Sequence, residues 1–242
     1  MSDLRIALVA EGPTDEIIIE SALKAILPSP FKISLLQPER TRSVLGTGWG
    51  GVLKWCREFQ ARGAESLEDD PTMEFFDLII IHIDADVAGK SYADYGQEIA
   101  QAAQQGGWGL LPCSLPCPPP DATVDNMKTV LLSWLGIDKI GNKTVLCIPS
   151  KSSEAWLAAA VFPDNRDLSR ELECAPNIGD RLAQLPKKLR FKKTIRNYQA
   201  HTSTVKAEWS RVRRLCSQAE IFSHSVDAVA AEIACMSACG QT

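Results

Sequence analysis

Residues Phe76 to Ile83 read Phe-Asp-Leu-Ile-Ile-Ile-His-Ile, almost wholly apolar over the length of one strand. A strand with one wet face alternates apolar and polar residues, so an unbroken run predicts a central parallel strand covered on both sides. Three further short segments, Arg5 to Ala10, Phe31 to Leu36 and Thr144 to Ile148, predict companion strands. Helical patterns fall between and after them. Pro13 to Leu27 has Gly12 near its N-cap, Pro13 at a favoured first position, and Ile19, Ala22, Leu23 and Ile26 on one face. Trp49 to Arg62, Tyr92 to Gln105, Val124 to Leu135 and a helix opened by Pro149-Ser150-Lys151-Ser152-Ser153-Glu154 complete the alternation. Strands alternating with helices imply a doubly wound α/β domain, here residues 1–162. Glu65 to Asp70 reads as an acidic surface turn, and Gly106-Gly107 with the prolines from Pro112 to Pro120 as a loop. Beyond Pro163 the strand pattern stops. Leu168 to Leu189, Val205 to Gln218 and Val226 to Cys239 read as helices, so residues 163–242 form a helical subdomain against the sheet edge.

The acids fall where such a sheet keeps its chemistry. Glu11-Gly12-Pro13-Thr14-Asp15 joins the first strand to the first helix, and Asp84-Ala85-Asp86 follows the central strand. Open α/β sheets bind ligands outside the carboxyl ends of their strands. Glu11 at the strand end and Asp15 in the first helical turn converge on one point above that edge. In Asp84-x-Asp86 an extended chain sends both side chains to the same side. Four carboxylates at one edge suit a hard divalent cation that keeps waters for substrate phosphates, and so metal-assisted phosphodiester cleavage or transfer. The competing reading makes one or two of these acids helix caps.

Glu-Gly-x-x-Asp after the first strand and Asp-x-Asp after a later apolar strand resemble the TOPRIM domain of topoisomerases, primases and the overcoming-lysogenization-defect nucleases. The likeness covers roughly the first 160 residues and leans toward the nuclease branch and small stand-alone TOPRIM-like proteins of bacterial defence loci. That resemblance implies Mg²⁺ or Mn²⁺ held by Glu11, Asp84 and Asp86, with Asp15 as the extra acid of the nuclease branch. Lys151 and Glu154 resemble the elements that supplement those acids, Lys151 stabilising phosphate charge and Glu154 joining a second metal. A charged helix N-terminus would account for Glu154 equally well. The implied activity is a two-ion nuclease acting on DNA or RNA. The ATPase fused to the overcoming-lysogenization-defect nucleases is absent, so an ATPase would have to be a separate partner, and a regulated effector or toxin subunit is the first alternative. A phosphotransfer enzyme on a small substrate is the second. It would need a closed pocket and no basic tail.

Charge divides unevenly along the chain. Residues 1–160 carry 13 Lys+Arg against 21 Asp+Glu, a net of −8, and residues 161–242 carry 13 against 9, a net of +4. The densest basic stretch holds Lys187, Lys188, Arg190, Lys192, Lys193 and Arg196 around Phe191. Cations with an interleaved aromatic suit phosphates and a stacked base, and thus a nucleic-acid track, while a solvated helix face is the plainer reading.

Other patterns lead elsewhere. Gly46-Thr47-Gly48-Trp49-Gly50-Gly51 matches G-x-G-x-x-G without an acid on a following strand end, leaving a loop or a backbone approach to phosphate. Gly89-Lys90-Ser91 lacks the first glycine of a P-loop, because Asp84 stands there. The eight cysteines include no C-x-x-C pair, so zinc is disfavoured and reduced thiols packed as small hydrophobes are expected. His82, inside the central strand, is expected to be a hydrogen-bonded core residue, and Trp55, Trp134 and Trp156 to pack the core. No apolar run reaches the ~20 residues of a membrane span and no signal sequence is evident, which makes a cytoplasmic protein the expectation.

Overall fold

The computed structural model describes residues 3–39, 46–165, 168, 171–187 and 189–239. Four strands form one all-parallel sheet: β1 (Leu4–Val9), β2 (Phe31–Gln37), β3 (Leu78–His82) and β4 (Thr144–Cys147), in the order β2-β1-β3-β4. β1 pairs Ile6 with Ile33 on one side and with Leu78 on the other, and β3 pairs Ile80 with Val145. Helix α1 (Pro13–Ile26) connects β1 to β2, and α2 (Trp49–Ala61) carries the chain back across β1 to β3. The winding therefore reverses between β1 and β3. The carboxyl ends of those two strands mark the switch point, the usual ligand position in such folds.

Strand alternation sorts the core into two apolar layers. Ile6, Leu8, Leu78, Ile80, Val145 and Cys147 face α1 and α5 (Glu154–Val161), while Ala7, Val9, Ile79 and Ile81 face α2 and, between β3 and β4, α3 (Gln97–Gln105) and α4 (Asp121–Leu135). Trp134 and Trp156 are fully buried and Trp55 nearly so. Between Pro163 and Cys239 no strand occurs among the described residues. Helices α6 (Ile178–Gln184), α7 (Ile195–Ala200), α8 (Thr202–Ala207), α9 (Trp209–Leu215) and α10 (Ser217–Cys239) supply Leu182, Tyr198, Val205, Val212 and Phe222 to the same layer as α1 and α5. The helical tail thus covers a face of the sheet through α1 and α5, with α10 also reaching edge strand β4.

Several sequence expectations change. The Tyr92 to Gln105 helix is broken into a 3₁₀ turn, Tyr92–Tyr95, and α3, because Gly96 between them adopts φ +130°, a conformation open chiefly to glycine. The Glu65 to Asp70 turn is only partly on the surface. Leu67 and Asp70 are buried, and Glu68 Oε1 accepts hydrogen bonds from Lys143 N (2.9 Å) and Thr144 Oγ1 (2.8 Å), pinning the turn to the start of β4. The cysteines are not all reduced: Cys117 and Cys174 form a disulfide, tying the proline-rich loop to the helical tail. The sequence spacing gave no sign of that pair, which lies 57 residues apart. Gly50 packs under the Tyr95 ring, where any Cβ would collide, and Gly51 lies against Gln37, so these glycines serve close packing. Ser91 caps the 3₁₀ turn at Tyr92, which accounts for Gly89-Lys90-Ser91 without a phosphate.

Candidate metal centre

Three elements deliver the acids to one place. Pro13 starts α1 immediately after Gly12, and this puts Asp15 in its first turn, where a carboxylate favours the positive end of the helix. Asp84 leaves β3 in extended conformation just before a 3₁₀ turn, Ala85–Gly89. Ser153 stands at the N-cap of α5, just after β4. It joins the other two, donating its hydroxyl to Asp15 Oδ1 (2.6 Å) and its backbone N–H to Asp84 Oδ1 (3.0 Å). Glu11 Oε1 accepts the backbone N–H of Asp84 (2.8 Å), and the Glu11 carbonyl accepts from Gly48 N (2.8 Å). The turn after β3 continues along the β4 loop through Ala85 N to Pro149 O (2.9 Å) and Asp86 N to Lys151 O (3.1 Å). Both strand ends are therefore held by hydrogen bonds that fix where the carboxylates sit.

Asp15 and Asp84 come together, whereas Glu11, expected as a ligand, lies outside their cluster of ligand atoms and spends Oε1 on the Asp84 backbone N–H. Asp86 differs in detail. The chain turns into 3₁₀ geometry after Asp84, so the pair does not share a face through strand alternation, and Asp86 stands exposed at the mouth of a cleft that Asp84 lines from within. Lys151, Glu154 and Lys193 line the same cleft, whose volume is about 400 Å³. Glu154 is almost entirely enclosed, and its Oε1 accepts from Tyr198 OH (2.8 Å) and from Lys193 Nζ (2.7 Å). Glu154 is therefore committed to a lysine and a tyrosine rather than presented to a second ion.

Of the basic run, Lys187, Arg190, Lys192 and Arg196 are exposed, and Lys188 lies outside the described residues. Lys193 alone among the described members reaches the acids. Phe191 is no stacking platform. It is buried, edge-on to the Tyr198 ring with centroids 4.9 Å apart.

His82 was expected to be a satisfied core residue, and here the structure departs most from the sequence. Its ring is fully buried on the α1 and α5 side of β3. Nε2 stands 3.2 Å from Asp84 Oδ1, yet neither ring nitrogen has a hydrogen-bond partner. Among the described residues, Asp15, His82 and Asp84 each bring a ligand atom within 4.8 Å of the others.

Electrostatics describe a site short of positive charge. Burial, then the charges of Asp84 and Asp15, push the Glu11 carboxyl well above the usual carboxylate range. Burial and the neighbouring Asp15, Glu154 and Asp86 do the same to Asp84. Asp86 is raised too, by restricted solvation and Glu154, against the pull of Lys90, Lys193 and Lys151. Burial also acts upward on Glu154, but the Lys193 charge and the hydrogen bonds from Lys193, Tyr198 and Ser152 outweigh it and hold the group low. One lysine thus neutralises one acid and leaves the others crowded. A divalent ion among Asp15, His82 and Asp84 would relieve that crowding and meet an unpartnered nitrogen, so the donor set fits a cation.

Ser153, Tyr198 and the inward reach of Lys193 were not evident from motifs. Ser153 carried a weak signal, a serine just before a helix after a strand. Tyr198 and Lys193 meet Glu154 from about 40 residues away in sequence, across the tail's packing on α5. Compared with protein-family models, with curated proteins and with solved structures, the chain matches none.

Proposed function

We propose that this chain is a divalent-metal-dependent nuclease of TOPRIM type. The observation that carries the reading is the convergence of Asp15, His82 and Asp84 at the β1/β3 switch point, beside a cleft whose mouth holds Lys151 and Lys193. Asp15 and Asp84 would hold the ion, in orientations fixed by Ser153, while Glu11 keeps the Asp84 loop in place through its hydrogen bond to Asp84 N. Bound there, a divalent ion supplies a Lewis acid for a phosphoryl oxygen and an acidified water. Lys151 and Lys193 stand where a phosphodiester entering the cleft would need its charge neutralised. Tyr198 is excluded as a nucleophile. It is buried, its hydroxyl is given to Glu154, and burial with that carboxylate raises its pKa far beyond the ordinary phenol.

An exposed mouth, with Asp86 and most of Lys193 in solvent, suits a polymer better than the closed pocket a small phosphotransfer substrate requires. The test is cleavage of single- and double-stranded DNA and of RNA by the full chain with Mg²⁺ or Mn²⁺. Wild type is expected to cut at least one, and Asp84→Asn and Asp15→Asn to lose on the order of 10²-fold or more. Undiminished cleavage in both variants, or none by the wild type, would reject the assignment.

A further inference from the structure

His82 is the last residue of β3, paired in register with Cys147. Leu78 and Ile80, on the same strand face, are ordinary core residues. An imidazole in this position, fully buried with both nitrogens unpartnered, loses its hydration without replacement, which buried polar groups rarely do. Two arrangements can satisfy Nε2. It can carry a proton and pair with Asp84, or it can give its lone pair to a cation that Asp84 also binds. The 3.2 Å separation of Nε2 from Asp84 Oδ1 lacks the alignment of a hydrogen bond, and two donor atoms bound to one ion sit at about such a distance. Asp15 completes the set from the opposite element, with all three ligand atoms within 4.8 Å of one another.

We propose that His82 Nε2 is a direct metal ligand, which makes the centre an O,O,N site selective for a first-row transition ion such as Mn²⁺ over Mg²⁺. This rests on the reading that Asp15 and Asp84 bind a divalent ion. Carboxylate oxygens alone accept Mg²⁺, Ca²⁺ and Mn²⁺ alike, whereas an imidazole nitrogen is a poor ligand for the hard Mg²⁺ and a good one for transition ions. The position of the nitrogen sharpens the selection. It projects from a central strand and is fully buried, so an ion that refuses nitrogen would leave Nε2 buried and unpaired.

Pulsed electron paramagnetic resonance of Mn²⁺ added to the full chain tests this directly, because a coordinated imidazole imprints a ¹⁴N coupling on the metal signal. The chain has three histidines, His82, His201 and His224. The coupling should persist in a His201→Gln, His224→Gln double variant. It should convert to a ¹⁵N coupling when that variant is labelled with ¹⁵N-histidine. In His82→Gln it should vanish, and the preference for Mn²⁺ over Mg²⁺, measured by competition, should fall at least tenfold. The labelled double variant keeps the test decisive even if His82→Gln does not fold. Bound Mn²⁺ that is lost in Asp84→Asn but shows no nitrogen coupling would overturn the role of His82, leaving it beside Asp84 without a bond to the metal, while sparing the metal centre. Failure of the wild type to bind Mn²⁺ at all would overturn both readings.

Discussion

The two faces of the sheet use the same strands for opposite ends. On the α2–α4 face, β3 contributes Ile79 and Ile81, with Ile83 just after it, and the polar groups around Tyr92 close among themselves, while Trp108 Nε1 is left without a partner. Trp134 Nε1 donates to Tyr92 OH (2.8 Å), which donates to Gly109 O (2.7 Å), while Gly109 N donates to Ser133 Oγ (2.7 Å). On the α1/α5 face the same strand runs Leu78, Ile80, His82 and then Asp84, and the layer ends in unpaired nitrogens and crowded carboxylates. Alternation lets one strand serve both purposes. The first face supplies stability, and the second gives some up at its carboxyl end to crowd carboxylates that a cation could hold together.

The contrast breaks if damage to the first face damages the site. Trp134→Ala removes a fully buried ring from the α2–α4 layer and should cost about 3–5 kcal/mol in denaturant unfolding. Mn²⁺ affinity of the folded variant should stay as in the wild type, since the ring lies across the sheet from the acids. A parallel loss of affinity would show the two faces to be coupled.

A smaller effect is expected from Tyr198→Phe on the second face. It removes the hydroxyl that donates to buried Glu154 and should cost about 1.5–3 kcal/mol, the range for hydrogen bonds to charged groups. Because Lys193 still holds Glu154 Oε1, the glutamate should remain ionised and metal binding should persist. A cost near zero would mean that Tyr198 does not hold Glu154 in solution.

The smallest expected effect is on pH dependence without metal. Glu11 and Asp84 have folded pKa values raised above their ordinary 4.5 and 3.8, so in that window the native state binds more protons than the unfolded one. Stability should then fall as pH rises from those ordinary values through the raised ones. Glu154, held low, acts oppositely and only below its ordinary value of 4.5, giving the chelated protein its best stability in mildly acidic solution. Saturating Mn²⁺ should abolish this decline in a Tm series, because the ion replaces the protons. A chelated protein most stable above neutrality would contradict the crowding of the acids.

What the sequence made legible follows from local rules. Predominantly apolar runs give β1, β3 and β4, Gly12-Pro13 gives the start of α1, and acids at two strand ends locate the switch point. What stayed hidden depends on distant packing. His82 looked like one more core position, since nothing in a strand's periodicity reveals whether a buried nitrogen finds a partner. Lys193 looked like one cation in a solvated run, and only the docking of the tail on α5 brings it to Glu154. The Cys117–Cys174 bond joins a proline-rich loop to the tail across a gap no spacing rule encodes. Asp86 turned outward because hydrogen bonds to the β4 loop coil the chain directly after Asp84, which a reading of β3 as a continuing strand could not anticipate.

The most direct test of the account is where a divalent ion binds. Crystals of the full chain grown with Mn²⁺ and measured at the manganese absorption edge should show an anomalous peak enclosed by Asp15, His82 and Asp84, with Ser153 still bridging the two aspartates. Manganese peaks confined to other acidic positions, with that triangle empty at saturating Mn²⁺, would contradict it.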